Sequence, residues 1–515
     1  MIHGWVTFHM STKANTSISS SPKEIGLHYL VEEMNLHVAF PAVRSEVVAG
    51  ARKTHETHTS VLEQYPASYA PKGIWGNLRF ALRYEPIDLG VLAAFFGTID
   101  RSELETWVRG ESTGIFARRA WYLFEMLTGQ TLDLPDVPPT GYAPLLRSEA
   151  QITSEGIRIQ RQKIIDNLLG NGDYCPLIRR TGDLEGWMQQ DLRQMFQGVV
   201  SGVAPAVLER AVQYLFIKET QSSFAIEGEA PSPDRSRRFV QALQSAGSFD
   251  TSSKDAFIRL QKAIVEARFA LEDWRSVQNY IGSIAQDYSP IVHYVCPKPF
   301  DLPSLMGGWM RSLQRVGTGE VNPICVATIA GFGFVYLHPF EDGNGRLHRF
   351  LIHHSLAKLG VTPKGVLFPV SAAMLRNRAV YDQALESLSE KIEPLIEYTL
   401  DDAGRMTVKG ETALLYRYPD LTVQTEYLFR AVADTIATDL RTEIGFLERY
   451  DRAMEAVKDV VEMPGLRASL LVRLIFQNHG RLSKVKRGQF AELSDEEIAA
   501  IESAIRAIDM PEEVQ

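Results

Sequence analysis

One short segment of this chain, residues 338–349, concentrates side chains that could do chemistry. It reads HPFEDGNGRLHR. His338 could accept a proton near neutral pH, and Asp342 is a hard oxygen ligand suited to a Mg²⁺ ion that bridges phosphates. Arg346 and Arg349 are spaced so that they share one face of a helix, where they could contact successive phosphates.

The neighbouring residues predict how this segment is held. The apolar run at 324–337 is typical of a buried helix, and Pro339 prevents that helix from continuing. The flexible turn that follows consists of Gly343, Asn344 and Gly345. Where such a turn opens a helix, unpaired N–H groups and the helix dipole favour an anion. Together these features indicate nucleotide phosphate binding beside a base, and transfer of a phosphate-linked group to a hydroxyl.

Composition limits the class of protein. The 515 residues carry 54 basic and 63 acidic side chains, and this net charge of −9 argues against general nucleic-acid coating. The three cysteines are widely spaced and form no CxxC pair, so we expect neither a zinc site nor a disulfide framework. No signal peptide is evident, and the longest apolar run is too short to span a bilayer. We therefore expect a cytoplasmic location and no membrane partner.

Breaks in the pattern predict three parts. Residues 1–145 show helical patterns without an assignable motif, and a proline-rich segment at 134–144 ends them. Residues 146–400 are typical of a run of helices, with a strand signal at 290–297. Residues 401–515 are helical again and contain a small basic cluster, which a solvated loop explains better than a nucleic-acid contact. The cluster consists of Arg481, Lys484, Lys486 and Arg487.

The segment at 338–349 resembles the signature of the Fic family, HPFx(D/E)GNGRxxR, at every specified position. Fic proteins that resemble this chain transfer AMP from ATP to a Ser, Thr or Tyr hydroxyl of a target protein. The resemblance covers residues 200–400 well. It implies a mainly α fold, in which a Fic-type helical core with a β-hairpin flap lies between an N-terminal helical module and a C-terminal winged-helix-like module.

The resemblance also implies roles for the motif residues, with ATP and Mg²⁺ as ligands. His338 would be the general base, and Asp342 would hold Mg²⁺. The turn at 343–345 and Arg346 would bind the α- and β-phosphates, and Arg349 would reach the γ-phosphate. A kinase-like branch of the family carries lysine in place of the last glycine of the turn, so the glycine here favours nucleotidyl transfer.

A stretch before the motif resembles the family's flap, which covers the nucleotide and pairs with an extended target segment. It comprises Ile281 and Gly282 followed by residues 288–299, with the flap itself at about 285–299. Tyr381 resembles an aromatic that packs near the adenine, whereas Ser389 stands where some relatives place an amide. The flap residues nearest the nucleotide and target would be Val292, His293, Tyr294 and Val295.

Residues 223–228, SFAIEG, match the family's inhibitory pattern, (S/T)xxxE(G/N). The inhibitory residues would be Ser223, Glu227 and Gly228, at the end of a helix at about 205–228 that Gly228 terminates. By resemblance, Glu227 would form a bidentate pair with Arg349, occupy the γ-phosphate position and misplace the α-phosphate.

Three functions remain open from the sequence. The leading one is a protein adenylyltransferase held in check by Glu227. A second is removal of AMP from modified proteins, in which Glu227 would position a water. A third is a DNA- or protein-binding regulator with the Fic core as a nucleotide sensor. The expected partners are ATP and a target protein that presents an extended segment to the flap, and a homodimer remains open.

Overall fold

Three large clusters of buried apolar side chains organise this computed structural model, which describes residues 23–57, 60–286 and 290–509. The first cluster draws mainly on residues 27–177, the second on 152–444 and the third on 453–505. The motif lies in the second cluster. None of the described helices is both long and apolar enough to cross a bilayer.

The N-terminal part combines a sheet with helices. Its four strands have the order β1-β2-β4-β3, and β2 runs parallel to β4. The predicted N-terminal helical module therefore also contains a sheet. The sequence did not indicate this sheet, because its strands are short and expose many side chains, so they lack a clear apolar alternation. The elements are β1 (Lys23–Ile25), α1 (Leu27–Glu33), β2 (Val43–Val48), β3 (Lys53–Glu56), β4 (Val61–Pro66), α2 (Gly73–Tyr84), α3 (Leu89–Thr98), α4 (Arg101–Gly110) and α5 (Ile115–Thr128).

The proline-rich segment packs against the first cluster. Val137 is buried there, and the buried Arg119 donates through Nε to the Pro144 carbonyl at 2.9 Å. Apolar packing of this cluster continues to Leu177, past the boundary predicted at residue 145. A small sheet in the order β5-β7-β6 follows. Its strands are β5 (Ala143–Pro144), β6 (Ile157–Ile159) and β7 (Ile164–Asp166).

The second cluster is built around two helices that pack along each other, α12 and α13. α12 is apolar on all sides, which is the pattern of a helix buried on all sides. Asn322 caps its start by accepting from Ile324 N at 2.9 Å, and it ends at His338. The elements of this part are α6 (Gly182–Met188), α7 (Leu192–Val200), α8 (Pro205–Ile226), α9 (Pro233–Gln244), α10 (Lys254–Ile264), β8 (Tyr280–Ile284), β9 (Pro290–Val295), α11 (Leu302–Val316), α12 (Pro323–Leu337), α13 (Asn344–Lys358), α14 (Val370–Arg376), α15 (Arg378–Ile392), β10 (Tyr398–Leu400) and β11 (Met406–Val408).

The C-terminal part continues through a helix with a π-helical section at Thr435–Leu440. Residues 441–509 contain no strand, so the predicted winged-helix-like module consists of helices without a wing. The helices that follow Arg441–Val460 pack against the C-terminal half of that helix, and together they form the third cluster. The elements are α16 (Leu414–Arg417), α17 (Thr422–Asp434), α18 (Arg441–Val460), α19 (Gly465–Gln477), α20 (Lys484–Arg487) and α21 (Asp495–Asp509).

The contact between α11 and α12 depends on Gly333. A Cβ at this position would lie 2.7 Å from Tyr174 Oη and 2.8 Å from Trp309 Nε1. We predict that Gly333→Ala lowers the free energy of unfolding by about 1–2 kcal/mol through overpacking, although alanine is the better helix former. Urea denaturation would measure the change.

Gly307→Ala on α11 is the matched control. The nearest atom to its added Cβ is the flexible end of Arg311, at 3.4 Å. This variant should be neutral or more stable by up to about 1 kcal/mol, because alanine favours the helix. Equal loss of stability in both variants would contradict the packing argument.

Candidate functional site

A cavity of about 380 Å³ lies between the C-terminal end of α8, the β8–β9 hairpin, the end of α12, the start of α13 and α15. Its wall unites residues that are far apart in the sequence. Those that the sequence analysis had selected are Glu227, His293, Tyr294, His338, Gly345, Tyr381 and Ser389. The cavity therefore joins the predicted base, the phosphate turn, the hairpin and the inhibitory carboxylate in one place.

His338 lies at the C-terminal end of α12 with left-handed backbone angles, φ 48° and ψ 56°. Its side chain is buried, and Nδ1 lies 3.2 Å from the Val335 carbonyl oxygen. Burial, and secondly the charge of Arg275, lower the pKa of His338 to about 4. The imidazole is therefore neutral at physiological pH. With its proton on Nδ1 facing Val335, Nε2 is the atom that can accept a proton.

Asn344 closes the loop between His338 and α13. Its Oδ1 accepts from Phe340 N at 3.0 Å, and its Nδ2 donates to the Phe340 carbonyl at 2.7 Å. Gly343, with φ 93°, lets the chain turn into the helix. The Asn344 side chain thus braces the loop and is not part of the cavity wall. Its predicted contribution to phosphate binding could come only from the backbone of the turn.

Arg346 is held between two carboxylates, and its side chain is 1% exposed. Nη2 donates to Asp342 Oδ1 at 2.6 Å, and Nη1 lies 3.2 Å from Glu229 Oε2. The guanidinium also lies 5.1 Å from the ring centroid of Phe224. Both terminal nitrogens of the Arg346 guanidinium therefore already have a carboxylate partner.

Asp342 keeps the properties of a magnesium ligand. Its side chain is 35% exposed, and Oδ1 is the oxygen that accepts from Arg346. No group of three or more His, Cys, Asp or Glu side chains within the described residues could hold a metal. One carboxylate that acts together with substrate phosphates is nevertheless the usual protein contribution to Mg²⁺ binding, so the residues present fit that ion.

Arg349 contacts the end of α8. Its Nη2 donates to Glu227 Oε1 at 2.7 Å and to the Ser223 carbonyl at 2.7 Å, and its Nε donates to Ser223 Oγ at 2.8 Å. The Glu227 contact thus joins one oxygen to one nitrogen, so the expected bidentate geometry is absent. Ser223 takes the Nε donor, and Nη1 has no hydrogen-bond partner among the described residues. Burial alone would raise the pKa of Glu227 and lower that of Arg349. The attraction between the two charges outweighs burial, so the pKa of Glu227 lies below its ordinary value and that of Arg349 lies above it.

Gly345 makes room for this contact. A Cβ on Gly345 would lie 2.1 Å from Glu227 Oε1 and 3.2 Å from Arg349 Nη1. Glu227 itself follows the last residue of α8, and Gly228 turns the chain away with φ 70°. The helix therefore ends where the sequence indicated, and the missing side chain at 345 lets the carboxylate reach the motif.

The hairpin pairs β8 with β9 in antiparallel register and begins at Tyr280, earlier than the expected start at about 285. The predicted flap residue Tyr288 lies outside the described residues. His293 and Tyr294 line the cavity. Val292 and Val295 pack against the second apolar cluster instead, because apolar side chains at the base of the hairpin gain more from burial there.

α15 forms the opposite wall of the cavity. Tyr381 faces it and stacks near His348, with ring centroids 6.1 Å apart. Ser389 also lines it, and its hydroxyl donates to the Glu386 carbonyl at 3.1 Å. Ser389 therefore does not reproduce the amide that some relatives carry at this place.

Three charged residues at the site were missed from the sequence. Glu229 contacts Arg346, Arg378 donates to the Ile226 carbonyl at 2.6 Å, and Arg275 contacts the His338 carbonyl at 2.8 Å. Each is remote from the motif in sequence, so no spacing rule connects it to the motif. Only Glu229 could have been selected from the sequence, because it is a second carboxylate two residues after Glu227.

We predict that His338 titrates near pH 4, below the ordinary value of 6.5, because burial and Arg275 disfavour the imidazolium. Because the pKa of His338 is lower in the folded chain than in the unfolded chain, this residue also makes the free energy of unfolding depend on pH. The contribution of the neutral imidazole is complete above pH 6.5 and is lost as the pH falls towards 4. NMR titration of the imidazole protons, with His338→Ala to assign the signal, measures this. A midpoint at or above 6.5 would contradict it.

Part of this chain is similar in sequence to known proteins. Residues 251–356 match the sequence profile of the Fic/DOC family. The chain is 22% identical over 267 residues to the protein adenylyltransferase Fic of Drosophila mojavensis, covering 48% of this chain and 51% of that relative. It is 23% identical over 214 residues to that of Drosophila erecta, covering 38% and 42%. The chain thus spans about half the length of the curated relatives it matches.

Two solved structures of Fic proteins are among those to which this chain is similar. A Fic family protein from Desulfovibrio desulfuricans is 16% identical, with a TM-score of 0.35 over 58% of this chain and 88% of that one. Fic-1 from C. elegans is 19% identical, with a TM-score of 0.32 over 52% and 72%. Residues 251–356, which contain the complete motif, are therefore the part of this chain that is similar to the Fic/DOC family.

Proposed function

We propose that this chain is a protein adenylyltransferase, which transfers AMP from ATP to a Ser, Thr or Tyr hydroxyl of a target protein and is inhibited by Glu227. The observation that carries this proposal is one cavity that is lined by His338 and by Gly345 of the predicted phosphate turn, with Glu227 2.7 Å from Arg349. The curated relatives are named protein adenylyltransferases, which supports the same reaction class.

In the proposed reaction, Nε2 of His338 accepts the proton of the target hydroxyl. The hydroxyl oxygen forms a bond to the α-phosphorus of ATP, and the bond from that phosphorus to the oxygen bridging to the β-phosphate breaks. Pyrophosphate leaves, and AMP remains on the target. Held by Asp342, Mg²⁺ would neutralise the phosphate charge. The N–H groups at the start of α13 would hold the phosphates in line with the incoming oxygen.

Inhibition follows from the charge of the two motif arginines. Arg349 is 1% exposed and already paired with Glu227, so a γ-phosphate could contact it only after the carboxylate leaves. Arg346 is equally buried and has Glu229 as a partner. A nucleotide must therefore compete with carboxylates for both guanidinium groups, and the structure represents the inhibited arrangement in this proposal.

The hairpin supports an extended target segment as the acceptor. Its side chains at Ile281, Ile284 and Ile291 are exposed. An extended segment that adds to a hairpin strand uses backbone hydrogen bonds, so its alignment depends little on its side chains. The hydroxyl to be modified would then lie beside His293 and His338, which both line the cavity.

Removal of AMP from a modified protein is the second candidate. The Glu227 side chain is 35% exposed and lines the cavity, so its carboxylate could also position a water for hydrolysis. The regulator hypothesis gains no such support. In the basic cluster of the C-terminal part, Arg487 is already paired with Asp495 at 2.8 Å.

We predict that Glu227→Gly increases AMP incorporation by about tenfold or more, equivalent to about 1.4 kcal/mol, because Arg349 becomes available to the γ-phosphate. Incubation with Mg²⁺ and ATP labelled at the α-phosphate, followed by intact mass, measures the incorporation. Glu209→Gly removes an exposed glutamate from the same helix outside the cavity wall and should not activate.

Unchanged or lower incorporation by Glu227→Gly would refute inhibition by this residue. If the chain instead removes AMP, Glu227→Gly should abolish release of AMP from a target modified beforehand. The same variant therefore separates the two enzymatic proposals.

We predict that His338→Ala, in the Glu227→Gly background, lowers transfer by about 10²–10⁴-fold, the usual contribution of a general base. ATP binding should survive, because the base acts on the target hydroxyl. Calorimetric titration with ATP and thermal unfolding provide the controls. Loss of ATP binding in a folded variant would assign His338 a structural role.

A further inference from the structure

Arg275 joins three segments that meet at the cavity. Its side chain is buried, and it donates through Nε to the His338 carbonyl at 2.8 Å, through Nη1 to the Val277 carbonyl at 2.8 Å and through Nη2 to the Pro297 carbonyl at 2.5 Å. Its backbone N donates to the Pro339 carbonyl at 2.8 Å. A buried guanidinium with three such contacts is costly to remove.

These partners belong to different elements of the site. Val277 precedes the first strand of the hairpin and Pro297 follows the second, while His338 ends α12. The guanidinium is planar, and its donors point in fixed directions. The Arg275 side chain therefore fixes the distance between the two ends of the hairpin and the loop that carries His338.

The backbone at His338 needs such support. Its φ of 48° and ψ of 56° lie in the left-handed region, which costs an L-residue about 1–2 kcal/mol. The neighbouring Trp274 packs against Phe340 with ring centroids 5.2 Å apart and holds the other side of the loop. Orientation of the His338 carbonyl by Arg275 then determines the direction in which the imidazole leaves the backbone.

Arg275 also acts on the charge state of His338. Its four hydrogen bonds described above go to carbonyl oxygens, so its positive charge still opposes an imidazolium nearby. Glu227 and Asp342 oppose this effect, and the Val335 carbonyl favours the protonated form as well. Burial and Arg275 outweigh them, which keeps the base neutral.

We propose that Arg275 is a positioning residue for the transfer reaction, which aligns His338 with the acceptor segment held by the hairpin. This inference rests on the proposed adenylyl transfer. It adds a residue outside the motif, because Arg275 is 63 positions before His338 in the chain. Its geometric role and its electrostatic role make separate predictions.

The test uses the full chain with two substitutions, Arg275→Met and Arg275→Lys. Methionine removes both the charge and the donors. Lysine keeps the charge but cannot donate to three carbonyl groups in the fixed planar geometry of a guanidinium. Arg119→Met is the matched control, because Arg119 is also buried and donates to the carbonyls of Pro144 and Leu82, both at 2.9 Å, in the N-terminal part. Thermal unfolding checks that each variant is folded.

Transfer is measured in the Glu227→Gly background, and the pKa of His338 by NMR. We expect both Arg275 variants to lower kcat by about 100-fold, the effect of a base misplaced by about 1 Å. Arg275→Met should raise the pKa of His338 from about 4 towards 6.5, whereas Arg275→Lys should leave it low. Arg119→Met should change neither quantity.

Two readouts do not depend on activity, so they separate this inference from the proposed function. Amide exchange in the hairpin strands should accelerate in both Arg275 variants and not in Arg119→Met. If the parent chain transfers no AMP at all, the pKa and exchange results still decide whether Arg275 positions the site. An unchanged pKa in a folded Arg275→Met, unchanged hairpin exchange, or transfer within about twofold of the parent would each overturn the proposal.

Discussion

The burial of two arginines is the constraint on which the site depends. Arg346 and Arg349 are each 1% exposed, on a helix enclosed by apolar packing. A buried cation is stable only with an anionic or hydrogen-bonding partner. Carboxylates near the end of α8 and in the motif supply those partners. In the proposed reaction, the phosphate groups of ATP would compete with these carboxylates for the same guanidinium groups, so that binding and inhibition would be two outcomes of one electrostatic requirement.

The helix that ends at Glu227 is fixed to the core at a second place. Glu219, in the same helix α8, is fully buried and accepts from Ser371 N at 2.8 Å and from the Ser371 hydroxyl. It also lies 2.7 Å from His353 Nε2 on α13. Movement of the whole helix would break these buried contacts. In the proposed inhibition, release of Glu227 would therefore be easier by local unwinding at the end of α8, where Gly228 already leaves helical geometry.

Local patterns allowed the helices and turns near the motif to be predicted well. The end of α8 at Glu227 and Gly228 follows from a helical pattern that a glycine terminates, and α12 follows from its continuous apolar run. The N-terminal sheet could not be predicted in this way. Its outer strand β3 is exposed at every position, so it has no apolar alternation to detect. The wing of the C-terminal module was expected from resemblance alone, and the described residues 441–509 contain no strand that could form it.

The sequence by itself determined which candidate groups lie together, because the predicted base, the predicted magnesium ligand, the predicted phosphate turn and two arginines are contiguous at 338–349. Contiguous residues keep their spacing in any fold that forms the local turn and helix. The tertiary structure alone decided the partners of those groups. Glu229 on Arg346, Arg275 on His338 and the single-point contact of Glu227 with Arg349 all join distant segments. Such contacts depend on how buried helices pack, and no spacing along the chain encodes them.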